Sequence, residues 1–233
     1  MLCFSNPHID CELIGRTNRF TVEVKVKGRL HRAFITNTGR LKDLIYMGAR
    51  GFCFPNNPDR RTSYRLFAVR DGSVGSLIDT RFQEDAFKAG VEKKYFAWLR
   101  GCKIVGRNPK VNKSRLDYLL KCKEEPLYLE IKSAVLRGPN NEAMYPDCPS
   151  LRGRRHIEEL TSLAAEGRRA MILFIAGFRG ASYFTPYDEG DPEIRNLLKR
   201  ARDVGVAIKA MSMFYRPNDR CIVLESDDLP IRL

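Results

Sequence analysis

Histidine is scarce and cysteine is scattered in this chain of 233 residues. There are three histidines, and the seven cysteines, at positions 3, 11, 53, 102, 122, 148 and 221, include no Cys-x-x-Cys pair. Structural zinc sites use closely spaced cysteines and histidines, so a zinc site is not expected. An odd number of scattered thiols also argues against the disulfide framework of a secreted protein. We therefore predict free, mostly buried cysteines and a reducing, cytoplasmic location.

Long apolar runs are absent as well. No stretch approaches the roughly 20 apolar residues that cross a membrane, and residues 1–6 lack a charged start followed by an apolar segment. The sequence also lacks a Gly-rich nucleotide loop and a Ser-His-Asp nucleophile arrangement. A membrane protein, a nucleotide-loop protein and a serine hydrolase are therefore not predicted.

Positive charge, by contrast, is in surplus. Lys and Arg number 41 against 28 Asp and Glu, which gives a formal charge of +13. Residues 1–78 contain 13 basic and 6 acidic side chains, so both parts of the chain share the surplus. Basic side chains release counterions from phosphates, and a surplus of this size therefore favours a polyanionic partner. Solubility alone is the alternative explanation of the charge.

Residues 1–76 are predicted to form a small β-barrel. The expected strands cover residues 20–27, 30–35, 50–54 and 63–70. The first two alternate apolar and polar side chains around the turn Gly28-Arg29, which is typical of a hairpin. Five or so short strands in about 75 residues suit an oligonucleotide-binding (OB) barrel, although other small barrels share the pattern.

Residues 77–233 are predicted to form a second domain with a mixed sheet flanked by helices. The expected helices cover residues 80–89, 150–165 and 192–204, and the expected strands cover residues 102–107, 114–122, 126–135, 171–176 and 207–215. Thr80 and Gln83 are predicted to form a capping box, and Gly90 is predicted to end the first helix. The β-α-β-α-β order of the later elements indicates the mixed sheet.

Two acids and one lysine are the strongest candidates for chemistry. Twelve residues separate Asp117 from Glu130, and both acids fall in short, adjacent predicted strands. The apolar residues of the second strand alternate with Glu130 and Lys132, so these two are predicted to point outward together. Two carboxylates suit Mg²⁺ or Mn²⁺, and the lysine suits holding or activating an attacking water. The alternative is an ordinary solvated strand, because Glu-x-Lys is common.

The long predicted helix offers further polar groups. Arg152 and His156 lie one turn apart on it, with Arg155 nearby. If this helix packs beside the Glu-x-Lys strand, Arg152 and His156 are placed to hold a scissile phosphate or its leaving group. The alternative is an exposed helix face with ordinary charge pairs. On the preceding helix, Glu84 or Asp85 would supply another acid to bind metal or orient water.

Basic residues in both parts are predicted to bind nucleic acid. They are Arg16, Arg19, Arg40, Arg60, Arg61, Arg115 and Arg155. Phe20 and Phe34, among the basic residues of the barrel, suit stacking on bases but are interpreted as core residues. The turn Asn57-Pro58-Asp59, which precedes Arg60 and Arg61, is predicted to present these two side chains as a phosphate clamp.

Several stretches, taken in order, resemble the sugar fermentation stimulation protein family. They are Asn18-Arg19-Phe20 with Val22-Glu23-Val24, Asn37-Thr38-Gly39, Asn57-Pro58 with Arg60, Ser114-Arg115-Leu116-Asp117-Tyr118, Leu129-Glu130-Ile131-Lys132, Tyr145-Pro146-Asp147 and Arg152-Gly153-Arg154-Arg155-His156. The resemblance runs over nearly the whole chain. The chain departs from the family pattern after Gly39, where Arg40-Leu41 replaces Ser-Met, and after Asp147, where Cys148-Pro149-Ser150 replaces Ala-Val-Thr.

The resemblance implies an OB-type barrel joined to a PD-(D/E)xK nuclease-like domain, in a protein that binds DNA with little sequence preference. It implies Asp117, Glu130 and Glu84 as metal-site acids and Lys132 as the motif lysine. We therefore predict a Mg²⁺- or Mn²⁺-dependent nuclease whose partner is DNA, single-stranded DNA included, and we leave a homodimer open. The alternatives are a non-catalytic DNA-binding regulator linked to sugar metabolism, and a barrel that binds RNA or a small anionic metabolite.

Overall fold

The computed structural model describes residues 2–57, 59–112 and 114–233, and Pro58 of the predicted clamp turn lies outside them. The strands of the N-terminal third are β1 (Leu2–Cys3), β2 (Ile9–Asn18), β3 (Thr21–Val26), β4 (Arg29–Phe34), β5 (Arg50–Pro55), β6 (Tyr64–Asp71) and β7 (Val74–Leu77). The later strands are β8 (Cys102–Arg107), β9 (Lys110–Val111), β10 (Ser114–Arg115), β11 (Tyr118–Cys122), β12 (Glu125–Ser133), β13 (Leu136–Arg137), β14 (Ala143–Tyr145), β15 (Arg169–Ala176), β16 (Phe184–Pro186), β17 (Ala207–Arg216) and β18 (Cys221–Ser226). The helices are α1 (Thr80–Glu92), α2 (Leu151–Ala165) and α3 (Glu193–Asp203).

Five strands form the predicted OB-type barrel. Their order is β4-β3-β2-β5-β6, and parallel pairing of β4 with β6 closes the barrel. Leu13, Ile35 and Leu66 are fully buried inside it, so the inward positions of the strands build its core. The sequence pattern did not reveal β2, because register shifts between Leu13 and Gly15 and again near Arg16 interrupt its alternation.

The barrel continues into the sheet of the second part. β7 pairs with β6 on one side and with β17 on the other, where Tyr215 is opposite Gly75. The sheet then runs in the order β17-β15-β12-β11-β8, with β12, β15 and β17 parallel and β11 and β8 antiparallel. This arrangement confirms the predicted mixed sheet and makes β12 an interior strand.

Helices cover both faces of that sheet. α1 packs through Phe87 on the face that carries Leu129 and Leu173. α2 and α3 pack on the opposite face, against a core that includes Ile172 and Phe174. In the described part of the chain, none of the helices combines the length and the apolar composition needed to span a bilayer.

The start and end of α1 correct two predictions. Asp79, not Thr80, is the N-cap, and its carboxylate accepts a hydrogen bond from Phe82 N. Gln83 is buried and donates to the carbonyl of Leu77 instead of closing a capping box. Gly90 lies inside the helix, where it makes room for the ring of Phe96. The sequence alone does not distinguish a glycine such as Gly90, which is needed for close packing inside a helix, from one that ends a helix.

Four of the seven cysteines form disulfides, which corrects the prediction of free thiols. Cys3 pairs with Cys221 between β1 and β18, and Cys102 pairs with Cys122 between β8 and β11. Both pairs are register partners, so strand pairing brings together cysteines that are far apart in sequence. Disulfides occur in both secreted and some intracellular proteins, and the cytoplasmic location stays a prediction.

The junction of barrel and sheet leaves no space for a side chain at Gly177. Leu77 N donates to the carbonyl of Gly177 at 2.5 Å, and a Cβ at 177 would collide with Leu77 O. We expect Gly177→Ala to lower the free energy of unfolding by about 1–3 kcal/mol, because the clash is with backbone. Gly15→Ala in β2 is the matched control, since nothing lies within 4 Å of its Cβ. Equal melting temperatures of the two variants would contradict this account.

Candidate active site

Glu130 and Lys132 lie on the interior strand β12, and both are buried. The predicted alternation is correct, because Leu129 and Ile131 pack on the α1 face and Glu130 and Lys132 point to the other side. The prediction that they point into solvent is wrong, since Glu130 is 2% exposed and Lys132 is 9% exposed. They lie under α2, whose His156 contacts Glu130. The alternation that is also typical of a solvated strand therefore places a buried ion pair here.

Asp117 lies directly across from Glu130. Tyr118 of β11 is the register partner of Leu129, so the next pair along brings Asp117 opposite Glu130. The carboxylate of Asp117 accepts a hydrogen bond from Ile131 N at 2.6 Å. Burial and the negative charge of Glu130 raise the pKa of Asp117 to about 7, although Lys132 and the Ile131 hydrogen bond oppose the shift. The two predicted metal-site acids therefore share one electrostatic environment.

A chain of polar contacts links Lys132 to the surface through Glu130 and His156. Lys132 Nζ donates to Glu130 Oε1, and His156 Nδ1 contacts the same oxygen. His156 Nε2 lies 3.4 Å from Arg152 Nε. Burial alone would raise the pKa of Glu130, but Lys132 and His156 hold it below its ordinary value. Burial also works against the charge on Lys132, yet attraction to Glu130 outweighs it and raises the lysine pKa.

His156 therefore has a different place from the one predicted. It is 2% exposed, contacts the carboxylate of Glu130 and lies behind the cavity wall, where a direct contact with phosphate is not expected. Arg152, one turn earlier on α2, is exposed and lies in the wall of the adjoining cavity, as a phosphate-binding group requires. The sequence pattern placed both residues on the correct helix face but could not tell which end of that face is buried.

Glu84 approaches the site from α1. Its carboxylate accepts a hydrogen bond from Arg107 at 2.9 Å. Burial raises the pKa of Glu84 although Arg107 opposes the shift, and the charge of Glu130 adds to it. Sequence reasoning missed Arg107, because its role depends on the packing of α1 against β8. The neighbouring Asp85 does not line the cavity.

These side chains surround a cavity of about 810 Å³ between the barrel and the second part of the chain. Its walls include Glu84, Asp117, Glu130, Lys132 and Arg152, together with the barrel residues Arg19, Phe20, Thr36, Asn37 and Gly39. Three hydrogen bonds fix the barrel to this wall: Asn37 Nδ2 to Ser133 Oγ, Thr80 N to Thr36 Oγ1, and Leu41 N to Asp147 Oδ2. The Asn37-Thr38-Gly39 turn is therefore part of the site.

The predicted nucleic-acid-binding arginines separate into three groups. Arg16 is a structural residue, because its guanidinium donates to the carbonyls of Arg19, Asn37 and Gly39. Arg19 lines the cavity, whereas Arg40 is exposed beside it. The remaining members, Arg60, Arg61, Arg115 and Arg155, are exposed and lie outside the cavity walls. Arg16 is half-buried and hydrogen-bonded to these carbonyls, and its predicted contact with nucleic acid stays a prediction.

The start of α2 forms another part of the wall. Ser150 caps the helix by accepting a hydrogen bond from Gly153 N, and residues 150–153 line the cavity. Tyr145, Pro146 and Asp147 lie beside them. A helix N-terminus attracts anions, so this wall adds positive potential to that of Arg152.

Two features of Glu130 and Asp117 suit a divalent cation. Glu130 Oε2 is buried and has no hydrogen-bond partner among the described residues. Asp117, which faces it, has a pKa that its like-charged neighbour helps to raise. Both features suit a cation that neutralises the two carboxylates, and Mg²⁺ needs only one or two carboxylates because it keeps several waters. Within the described part of the chain no three Asp, Glu, His or Cys side chains converge on one point, and Glu84 as a further metal-site acid stays a prediction.

Comparison with protein families accounts for almost the whole chain. Residues 14–78 match the family model described as SfsA N-terminal OB domain, and residues 81–219 match that described as Sugar fermentation stimulation protein RE domain. The chain belongs to the sugar fermentation stimulation protein family. The first match confirms the OB-type barrel of the N-terminal part. Membership of the family also confirms the resemblance seen in the sequence.

Relatives in the sugar fermentation stimulation protein family match over most of their length. A homologue from Pyrococcus furiosus is 47% identical over 89% of this chain and 90% of its own, and one from Archaeoglobus fulgidus is 43% identical over 84% of both chains. A solved structure is similar throughout, with a TM-score of 0.94 and 43% identity over 100% of this chain and 98% of that one. It is described as Pyrococcus furiosus SfsA in complex with Ca²⁺.

Proposed function

We propose that this protein is a metal-dependent DNA nuclease of low sequence specificity. The observation that carries the proposal is the meeting of Asp117, Glu130 and Lys132 at one wall of a cavity. In this proposal residues 1–76 bind nucleic acid and residues 77–233 contain the catalytic site. The motif that suggested the chemistry in the sequence is supported by strand register, since Asp117 and Glu130, with twelve residues between them in the chain, face each other.

Asp117 and Glu130 are the proposed ligands of Mg²⁺ or Mn²⁺, and the Ca²⁺ in the Pyrococcus furiosus relative supports a divalent-cation site. When bound, the ion supplies Lewis-acid polarisation of the phosphate and stabilises charge as the phosphodiester is cleaved. Glu130 is already oriented for this role, because Lys132 and His156 hold one of its oxygens and leave the other without a partner. Glu84 lies nearby as a further acid whose carboxylate Arg107 holds.

Lys132 is proposed to act as a cation. Attraction to Glu130 raises its pKa against the effect of burial, so the amine stays protonated at neutral pH. A protonated amine cannot remove a proton from water, and we therefore favour orientation of the attacking water or stabilisation of negative charge. Of the two roles that the sequence suggested for the lysine, holding the attacking water and activating it as a base, a protonated amine can fill only the first.

Substrate binding is assigned to the positive walls of the cavity. Arg19 comes from the barrel, and Arg152 and the start of α2 come from the second part, so a phosphodiester between them is contacted from both parts of the chain. The net charge of +13 supports association with a polyanion, and contacts to phosphate carry no base preference. DNA binding of low sequence specificity follows from this arrangement.

The proposal is tested by incubating plasmid DNA with the purified protein in Mn²⁺, Mg²⁺ or Ca²⁺ and in EDTA. We expect nicking with Mn²⁺ or Mg²⁺ and none in EDTA, and we expect DNA affinity to fall steeply with added salt. Affinity that does not depend on salt would contradict DNA binding through phosphates. Cleavage that persists in EDTA would contradict the metal-dependent mechanism.

The second candidate is a regulator that binds DNA without cleaving it. It is favoured by one observation, that no three metal-binding side chains converge among the described residues. Under this hypothesis salt-dependent binding remains and no metal supports nicking. The same plasmid experiment therefore separates the two candidates.

Arg152 gives a prediction that concerns the substrate. We expect Arg152→Ala to lower kcat/KM for cleavage by roughly 10-fold to 100-fold, because a charged donor to the phosphate is lost at the cavity wall. Arg155→Ala is the matched control, since Arg155 is exposed on the same helix but lies outside the cavity. Steady-state cleavage of a labelled oligonucleotide measures both variants. An equal loss in the two would mean that the helix contributes general charge and no specific phosphate contact.

A further inference from the structure

Phe20 is a large apolar side chain at the mouth of the candidate active site. It lies in the turn between β2 and β3, is 48% exposed, and lines the cavity that contains Asp117 and Glu130. This location corrects its interpretation as a core residue. The guanidinium carbon of Arg19 lies 6.0 Å from the centre of its ring. An aromatic ring and a cation are thus presented together beside the proposed scissile position.

The turn that carries Phe20 is held in place by hydrogen bonds. Phe20 N donates to Asn18 Oδ1 at 2.9 Å, and Phe20 O accepts from Ile35 N at 3.0 Å. Arg16 adds bonds to the carbonyls of Asn18 and Arg19. The backbone below the ring is therefore fixed although the ring itself is open to solvent. A preorganised aromatic surface binds a flat partner with little loss of conformational freedom.

The cavity has the size of a small ligand and not of a double helix. Its volume of about 810 Å³ is within the roughly 300–1,000 Å³ that encloses a drug-sized molecule, which is the scale of one or two nucleotides. A second large apolar side chain, Leu151 at the start of α2, also lines it and is 77% exposed. Among the acids at its walls, Glu130 is buried and Asp117 is half-buried, so a phosphodiester that reaches them must enter this space.

We propose that the substrate is DNA with unpaired nucleotides at the cleavage position, and that Phe20 stacks on the base next to the scissile phosphate. The inference rests on the proposed nuclease function and deepens it by naming the substrate class. Stacking on an aromatic ring tolerates any base, which agrees with phosphate contacts of low sequence preference. A paired base is already stacked on its neighbours inside the duplex and does not offer its face to Phe20.

The test measures binding in EDTA, so that the proposed cleavage does not interfere. Fluorescence anisotropy compares a labelled single-stranded oligonucleotide, the blunt duplex of the same sequence, and that duplex with a three-nucleotide gap. The variants are Phe20→Ala, Phe20→Trp and the matched control Leu30→Ala, because Leu30 is 58% exposed near the start of β4 and lies outside the cavity. A 2-aminopurine base in the single strand reports stacking through quenching of its fluorescence.

We expect Phe20→Ala to weaken binding of the single strand and the gapped duplex about 10-fold and to abolish the 2-aminopurine quenching. Phe20→Trp and Leu30→Ala are expected to bind like the wild type, and the blunt duplex is expected to be insensitive to all three changes. Equal losses on single strand and duplex, or no loss in Phe20→Ala, would overturn the inference while DNA binding itself stands. Absence of DNA binding in the wild type would overturn the inference together with the proposed function.

Discussion

Replacing Lys132 by methionine is expected to lower the rate of Mn²⁺-dependent DNA cleavage by roughly 10²–10³-fold, the range found when one preorganised donor to developing charge is removed. Methionine fills a similar volume but cannot carry a positive charge. Because Lys132 lies 9% exposed at the cavity wall, it contributes little to the surface that DNA meets first. DNA affinity in EDTA is therefore expected to stay within about 2-fold of the wild type.

The matched control for this change is Lys209→Met. Lys209 is on the same sheet, in β17, and forms an ion pair with Asp228 at 2.8 Å, but it is remote from the cavity wall. We expect this variant to cleave DNA like the wild type. Removal of Lys132 leaves Glu130 buried without its lysine partner, so a lower melting temperature of Lys132→Met is also expected. Cleavage rates are therefore compared well below the melting temperatures of both proteins. Cleavage by Lys132→Met at the wild-type rate would remove the lysine from the mechanism.

Local patterns predicted most of the fold. The hairpin of β3 and β4 follows from strict alternation around Gly28, which has the positive φ of 78° that a tight turn needs. α2 follows from its apolar stripe of Ile157 and Leu160. What could not be predicted depends on pairing between distant segments. The disulfide between Cys3 and Cys221 needs the two ends of the chain to be neighbours, and spacing in sequence contains no information about that contact.

The candidate site was predicted in its identities but not in its environment. Asp117, Glu130 and Lys132 are recognisable as candidates because their spacing suits two adjacent strands, and the pairing of Tyr118 with Leu129 brings Asp117 next to the Glu130 segment. Their burial was not recognisable, because it depends on the packing of α2 over β12. The same packing places His156 against Glu130 and leaves Arg152 exposed at the cavity wall. Sequence periodicity identifies which residues share a helix face, whereas tertiary contacts decide which of them solvent reaches.

The last prediction concerns the cost of keeping Asp117 charged. We expect Asp117→Asn to be more stable than the wild type at pH 8 in EDTA, by on the order of 2 kcal/mol. Burial and the charge of Glu130 raise the pKa of Asp117 to about 7 in the folded protein, whereas an unfolded aspartate titrates near about 3.9. The folded state thus binds the extra proton between these values. The stability gained from protonated Asp117 is complete below about pH 4 and is lost as the pH rises through about 7.

Thermal unfolding at pH 5 and pH 8 measures this effect. For a chain of this length 1 kcal/mol corresponds to about 2–4 °C, so the variant is expected to melt about 4–8 °C higher than the wild type at pH 8 and to show a clearly smaller difference at pH 5. Asparagine still accepts the hydrogen bond from Ile131 N, so the contact at 2.6 Å is kept and only the charge is removed. Asp203→Asn, on the exposed end of α3 and away from the cavity walls, is the matched control and is expected to melt like the wild type.

Added Mn²⁺ or Ca²⁺ should reverse the order of the two proteins. A cation that binds only the folded wild type, at a concentration of 100 times its Kd, raises the free energy of unfolding by about 2.7 kcal/mol. The variant has lost one of the two proposed ligands and is expected to gain much less. The carboxylate that destabilises the metal-free protein would then be the group that binds the metal. If the wild type and Asp117→Asn gain equal stability from the ion, Asp117 is not a ligand. If the variant is no more stable than the wild type at pH 8, the charge on Asp117 costs nothing and the site is more hydrated than its burial indicates.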